Sequence, residues 1–226
     1  MKATKSLPGS YIYLDKFGPK QNKKLTTIGL IFGFISTIPW YFFWFWITGI
    51  ISPDFGMRLG VNPNPSKYSV NVKGPIEALV FLVLIIVFHE AIHSLFLFVM
   101  TNDRPKIVVN WWSAHVEYPG WYISRNSIVV VNTSPFFIFA IVGVILLLVL
   151  PVSQLWFVTF GLVLNSVLSM SDLIGTGFFL LLPSSALITT KGQTYIDKSN
   201  VSDLGQDPSY NWEKGKYFKL IINKLD

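Results

Sequence analysis

Four long apolar stretches constrain this sequence more than any other feature. They run from about Thr27 to Ile51, Ile76 to Met100, Ser134 to Leu150 and Gln154 to Leu182. At 1.5 Å of rise per residue, about 20 apolar residues match the ~30 Å hydrocarbon layer of a bilayer. Lipid offers no partner to a backbone N–H or C=O, so a helix, which bonds its own backbone, is the economical way across. The pattern therefore predicts an all-α membrane protein with about four transmembrane helices. Pro151 and Ser153 separate the last two stretches, which predicts a tight helical hairpin. Composition agrees, because only 13% of the residues are charged where a soluble domain carries about 25%.

The length of 226 residues suits one domain. It divides into an N-terminal tail (1–26), a membrane core (27–183) and a C-terminal tail (184–226). The Lys-rich polar tail ahead of an apolar run too long for a signal peptide predicts a first helix retained as an anchor. The net charge of +6 does not point to nucleic acid, since the basic residues form no single patch. They mark orientation instead. The N-tail holds Lys2, Lys5, Lys16, Lys20, Lys23 and Lys24, and the C-tail another six. The 101–133 segment adds Arg104, Lys106 and Arg125. With both termini inside, fifteen basic residues are cytoplasmic, against Arg58, Lys67 and Lys73 outside. The positive-inside rule predicts that orientation, in a multi-pass protein of the cell membrane.

Two connections differ in character. Residues 52–75, with Asn62-Pro63-Asn64-Pro65, read as an external loop. Residues 106–131 are rich in Val, Ile, Trp and Tyr, and Pro119-Gly120 divides them into Lys106–Tyr118 and Trp121–Val131. That pattern predicts a small β-hairpin at the cytoplasmic membrane surface.

The chemistry lies in His89-Glu90-Ala91-Ile92-His93, within the second apolar stretch. Helical residues four apart stand one turn apart on nearly one face, so both imidazoles reach a single ion. Glu90 is rotated about 100° from His89, beside that ion rather than on it. A general base that takes a proton from metal-activated water belongs there. A chance match is disfavoured, because ionisable groups in mid-span cost about 2.5–3.5 kcal/mol each and are functional by default. Cysteine is absent, so a metal must be held by His, Asp or Glu.

A catalytic zinc needs a third protein ligand. Asp172 is the only acidic residue in the fourth stretch. Like the histidine pair, it lies about 15 Å from the inner end of its helix. Two separate segments thus bring costly polar groups to one depth. The alternatives, pairing with a cation or capping a broken helix, are weakened because no Lys or Arg lies inside any stretch. Asn165 belongs to a small and polar stripe with Gly161, Ser169, Asp172 and Thr176. It stands about 10 Å outward of Asp172, too far to share a metal. Two roles are equally open to it, holding a substrate backbone or oxyanion and gluing helices together. His115, in the expected hairpin, reads as a surface or hydrogen-bonded histidine. The block Trp40-Tyr41-Phe42-Phe43-Trp44-Phe45-Trp46 reads as interfacial anchoring.

His89-Glu90-x-x-His93 in one membrane helix, with Asn165 and Asp172 in a later one, resembles the site-2 protease class of intramembrane metalloproteases. It resembles more closely the bacterial Putative zincin peptidase family. Ala114-His115-Val116-Glu117, followed by Arg125 and Pro135, fits that family's layout. The sequence departs from the site-2 protease pattern at Ser171-Asp172-Leu173, where that pattern has Leu-Asp-Gly, and it lacks the proline after the asparagine. The resemblance implies a zinc metalloprotease, with His89, His93 and Asp172 as ligands and Glu90 as the catalytic base. Its substrate would be a membrane protein or peptide. Two rivals remain at this level, a membrane metal transporter and an inactive relative that binds membrane proteins without cleaving them.

Overall fold

The computed structural model describes residues 3–16, 23–55, 75–110, 113–190 and 192–197. Five long helices occur among them: α1 (Lys23–Ile51), α2 (Pro75–Thr101), α3 (Arg125–Val149), α4 (Leu155–Leu168) and α5 (Met170–Leu180). Three are long and apolar enough to cross a membrane, over Ile31–Ile51, Leu79–Thr101 and Arg125–Val149. A fourth crossing exists if α4 and α5, bent by 41° at their junction, form one span. Six short strands accompany them among the described residues: β1 (Tyr11–Lys16), β2 (Lys106–Asn110), β3 (Ser113–Glu117), β4 (Ile123–Ser124), β5 (Leu187–Ile188) and β6 (Gln193–Asp197).

The chain packs as two compact units. The helical unit comprises residues 28–92 and 134–172. Its apolar centre is Trp44, Phe45, Phe55, Leu147, Leu155, Leu162 and Val163. A β-carbon at Gly143 would overlap the Leu162 side chain, so glycine there lets α3 and α4 approach closely. Hydroxyls hold the helices together as well. Thr48 and Thr159 share a 2.9 Å hydrogen bond, and Trp44 Nε1 donates to Ser166 Oγ at 2.8 Å.

The second unit comprises residues 1–27, 93–133 and 173–226. It holds an antiparallel sheet in the order β1-β6-β5-β4, and β2 pairs with β3 in a separate two-stranded sheet. Ile123, Ile128, Val131, Leu182, Ile188 and Ile196 are among the residues of its buried core. Arg125 ties helix ends together, donating from Nη1 to the Leu182 carbonyl at 2.6 Å. That contact satisfies a carbonyl beyond the end of α5 and complements its dipole. Near the N-terminus, Lys5 Nζ is 3.0 Å from Asp103 Oδ2 and lies over the Trp121 ring. Chiefly through Lys5, and also through Trp121 and the Arg104 amide, the Asp103 carboxyl is held below the usual range.

Several boundaries differ from the sequence expectation. The hairpin is narrower, with β2 and β3 paired from Lys106 opposite Glu117 to Asn110 opposite Ser113. The expected second strand, Trp121–Val131, is strand only at Ile123–Ser124, and α3 begins at Arg125 rather than Ser134. The β-branched run Ile128-Val129-Val130-Val131 has high strand propensity, but propensity yields to context. It continues without a break into a long apolar stretch, where a helix bonds its own backbone. The fourth stretch is two helices rather than one. Ser169 ends α4 with its N–H on the Asn165 carbonyl, and Ser171 Oγ bonds the Leu168 carbonyl at 3.3 Å. Serine hydroxyls that bond back to the preceding turn bend helices. The tails also contain structure, since β1 and β6 pair Tyr11 with Asp197 and Ile12 with Ile196. The expected loop at 52–75 falls mostly outside the described residues.

Candidate metal centre

The ligand atoms of His89, His93 and Asp172 lie within 4.8 Å of one another, the one such group of three among the described residues. Both histidines project from α2 one turn apart and are buried, at 4% and 8% exposure. Asp172 comes from the first turn of α5, just beyond the bend. A helix N-terminus presents unpaired N–H groups and the positive end of its dipole, which suits a carboxylate. The break in the helix therefore shapes the site as well as the fold. Discontinuous helices at membrane depth are tolerated where they line a functional cavity.

The hydrogen bonds decide which imidazole nitrogen would face an ion. Asn165 is 1% exposed, and its Nδ2 donates to the Pro135 carbonyl at 3.3 Å. A carbonyl only accepts, so the amide nitrogen must point to Pro135 and Oδ1 must point to His89. Asn165 Oδ1 lies 2.9 Å from His89 Nδ1, so that nitrogen is the donor. On the same reasoning His93 Nδ1 donates to the Val131 carbonyl at 2.9 Å. Each ring has its Nδ1 proton committed, so Nε2 is the nitrogen that could ligate a metal.

The spacing fits zinc. His89 Nε2 and Asp172 Oδ2 are 3.1 Å apart. Two ligands at about 2.0–2.1 Å from a tetrahedral zinc stand about 3.3 Å apart. A lone pair facing a carboxylate oxygen at that distance needs a positive charge between them, a proton or a metal ion. Two imidazoles and one carboxylate are a donor set found in catalytic zinc sites, where three protein ligands leave the fourth position open.

Glu90 is half-buried on α2, between the two histidines in sequence. Asn165, expected either against substrate or as helix glue, has each of its polar atoms engaged within the chain. His115 stands outside the ligand group, with Nε2 3.4 Å from Glu117 Oε1 in the hairpin. The sequence reading missed the backbone carbonyls of Val131 and Pro135. Carbonyls leave no trace in residue identity, but the proline inside α3 was a visible signal.

Residues 81–187 of the chain match the family described as "Putative zincin peptidase". No curated protein and no solved structure matches the chain.

Proposed function

We propose that this chain, whose residues 81–187 match the family described as "Putative zincin peptidase", is a zinc metallopeptidase that cleaves membrane-embedded or membrane-adjacent peptides. The observation that carries the reading is the gathering of His89, His93 and Asp172 ligand atoms within 4.8 Å. These three residues would hold the metal. Bound zinc lowers the pKa of a water to about 7 and polarises a carbonyl. Glu90 makes no metal bond. Its carboxylate takes the proton of the attacking water and returns it to the departing amide nitrogen, acting as base and then as acid. The apolar helices keep bulk water away and strengthen each electrostatic contact at the site.

Strand β2 supports a mode of substrate binding. Its one partner among the described residues is β3. Ile107 and Val109, two apart and so on one face, are 53% and 75% exposed. An extended peptide added along that edge would use backbone hydrogen bonds for affinity and alternate side chains for selectivity. In the proposed orientation both termini and the hairpin are cytoplasmic. Reporter fusions should read cytoplasmic after residue 197 and external within 56–74, and the opposite pattern would invert the topology.

The decisive experiment is Glu90→Gln, which keeps the size of the side chain and removes its basicity. Zinc content should stay near that of the wild type, while cleavage of a co-expressed membrane peptide falls by about 10²-fold or more. A transporter would keep its flux in this variant, and a non-cleaving binder would keep its partner. Equal cleavage by the two proteins would rule out the mechanism.

A further inference from the structure

We propose that Pro135 is a positioning residue of the metal centre, setting the tautomer of both imidazole ligands through its absent N–H and its carbonyl. The proposal rests on the zinc reading above for its purpose, though not for its geometry. In an α-helix the N–H of residue i bonds the carbonyl of residue i−4. Proline has no N–H. Inside α3, Pro135 therefore removes the helical donor of one particular carbonyl, that of Val131. The Val131 carbonyl is the group that accepts from His93 Nδ1 at 2.9 Å. The gap in the helix ladder and the acceptor of the second ligand are the same atom.

The carbonyl of Pro135 itself serves the first ligand. It accepts from Asn165 Nδ2 at 3.3 Å and so fixes which way the amide faces. The amide oxygen then takes the proton of His89 Nδ1 at 2.9 Å. One residue thus determines, through Val131 on one side and Asn165 on the other, that both rings present Nε2. Such outer contacts fix ring orientation and raise ligand basicity in metal sites. Proline is the poorest residue for a helix interior, and its presence here calls for a compensating role. The other proline inside a described helix, Pro39 in α1, interrupts the ladder at Ile35, which bonds neither ligand histidine.

Pro135→Ala returns an N–H to the position. The helix ladder then competes with His93 for the Val131 carbonyl. Zinc affinity, measured by chelator competition on detergent-purified protein, should fall by about 10- to 100-fold. Nitrogen-15 spectra of the metal-free protein should show His93 moving from the Nδ1–H form to a mixture of tautomers. Asn165→Leu should release His89 and leave His93 unchanged, and Pro39→Ala should leave both histidines and the affinity as in the wild type. A proline that merely shaped the helix would move neither the tautomer nor the metal. Wild-type affinity with an unchanged His93 signal in Pro135→Ala would overturn the proposal. So would an Nε2–H form of His93 in the unmutated metal-free protein, a measurement independent of how any variant folds. A wild-type protein that takes up no zinc would refute the metallopeptidase reading, and the same metal-free spectra would still decide the role of Pro135.

Discussion

The two units of this protein differ in what they bury and what they expose. In the helical unit the outer surface is apolar, with Phe34 83% exposed and Leu148 66%. Its fully buried positions include Thr48, Thr159, Asn165 and Ser166. In the sheet-bearing unit Ile123, Leu187, Ile188 and Ile196 are at 0–1% exposure. The difference is the one expected if lipid surrounds the helices and water the sheet. Where lipid surrounds a helix, burying apolar surface gains little, and helices associate through close packing and hydrogen bonds between small polar side chains. Where water surrounds a sheet, burying apolar area supplies the driving force. His89 and Asp172 lie in the helical unit, in the first kind of interior, where a polar residue is either bonded or costly.

The comparison can be tested one unit at a time. Ile196→Ala, at a fully buried site of the sheet, should give the largest effect, a loss of about 2–5 kcal/mol in unfolding stability. Hydrogen exchange should rise in β1, β5 and β6, with the protection of α1 and α4 unchanged. Equal loosening of both units would mean that they do not stand on separate cores.

A charge on the outer face tests the solvent directly. Ile141 is 58% exposed on α3. In water, exchanging an exposed isoleucine for lysine moves stability by no more than about 0.5 kcal/mol. In hydrocarbon, Ile141→Lys should cost about 2.5–3.5 kcal/mol on an insertion scale. A neutral result in a membrane-insertion assay would place that face in water and end the comparison.

The smallest effect belongs to the buried hydroxyl pair. Thr48→Val and Thr159→Val, alone and together, form a double-mutant cycle across the 2.9 Å bond. The coupling expected of such bonds within membrane helices is about 0.6 kcal/mol. A coupling of zero would assign the association of α1 and α4 to packing alone.

The residues of the candidate site stand out in the sequence because each is an exception to its surroundings. His89, Glu90 and His93 interrupt an apolar run at helical spacing, and Asp172 is the one carboxylate in its stretch. The strands were less legible. β1 and β6 lie in opposite tails, and nothing local in Tyr11–Lys16 announces a partner near residue 195. The Trp121–Val131 run failed for a different reason, since its β-branched residues suit a strand and a lipid-embedded helix alike. The role of Asn165 stayed open because spacing along a straight helix does not reveal a bend at Ser169.

The sequence alone determined which segments are long and apolar enough to cross a bilayer, and which side chains could offer a metal their lone pairs. Both depend on properties carried by single residues and their local spacing, namely transfer free energy and helical periodicity. The tertiary structure decided the rest: that the last long stretch breaks and delivers Asp172 from a helix N-terminus, and that two tails close one sheet. It also decided which nitrogen of each imidazole carries the proton, because that depends on the acceptor opposite. Those acceptors are Asn165 Oδ1 and the Val131 carbonyl, brought to the histidines by packing across more than 35 residues of chain.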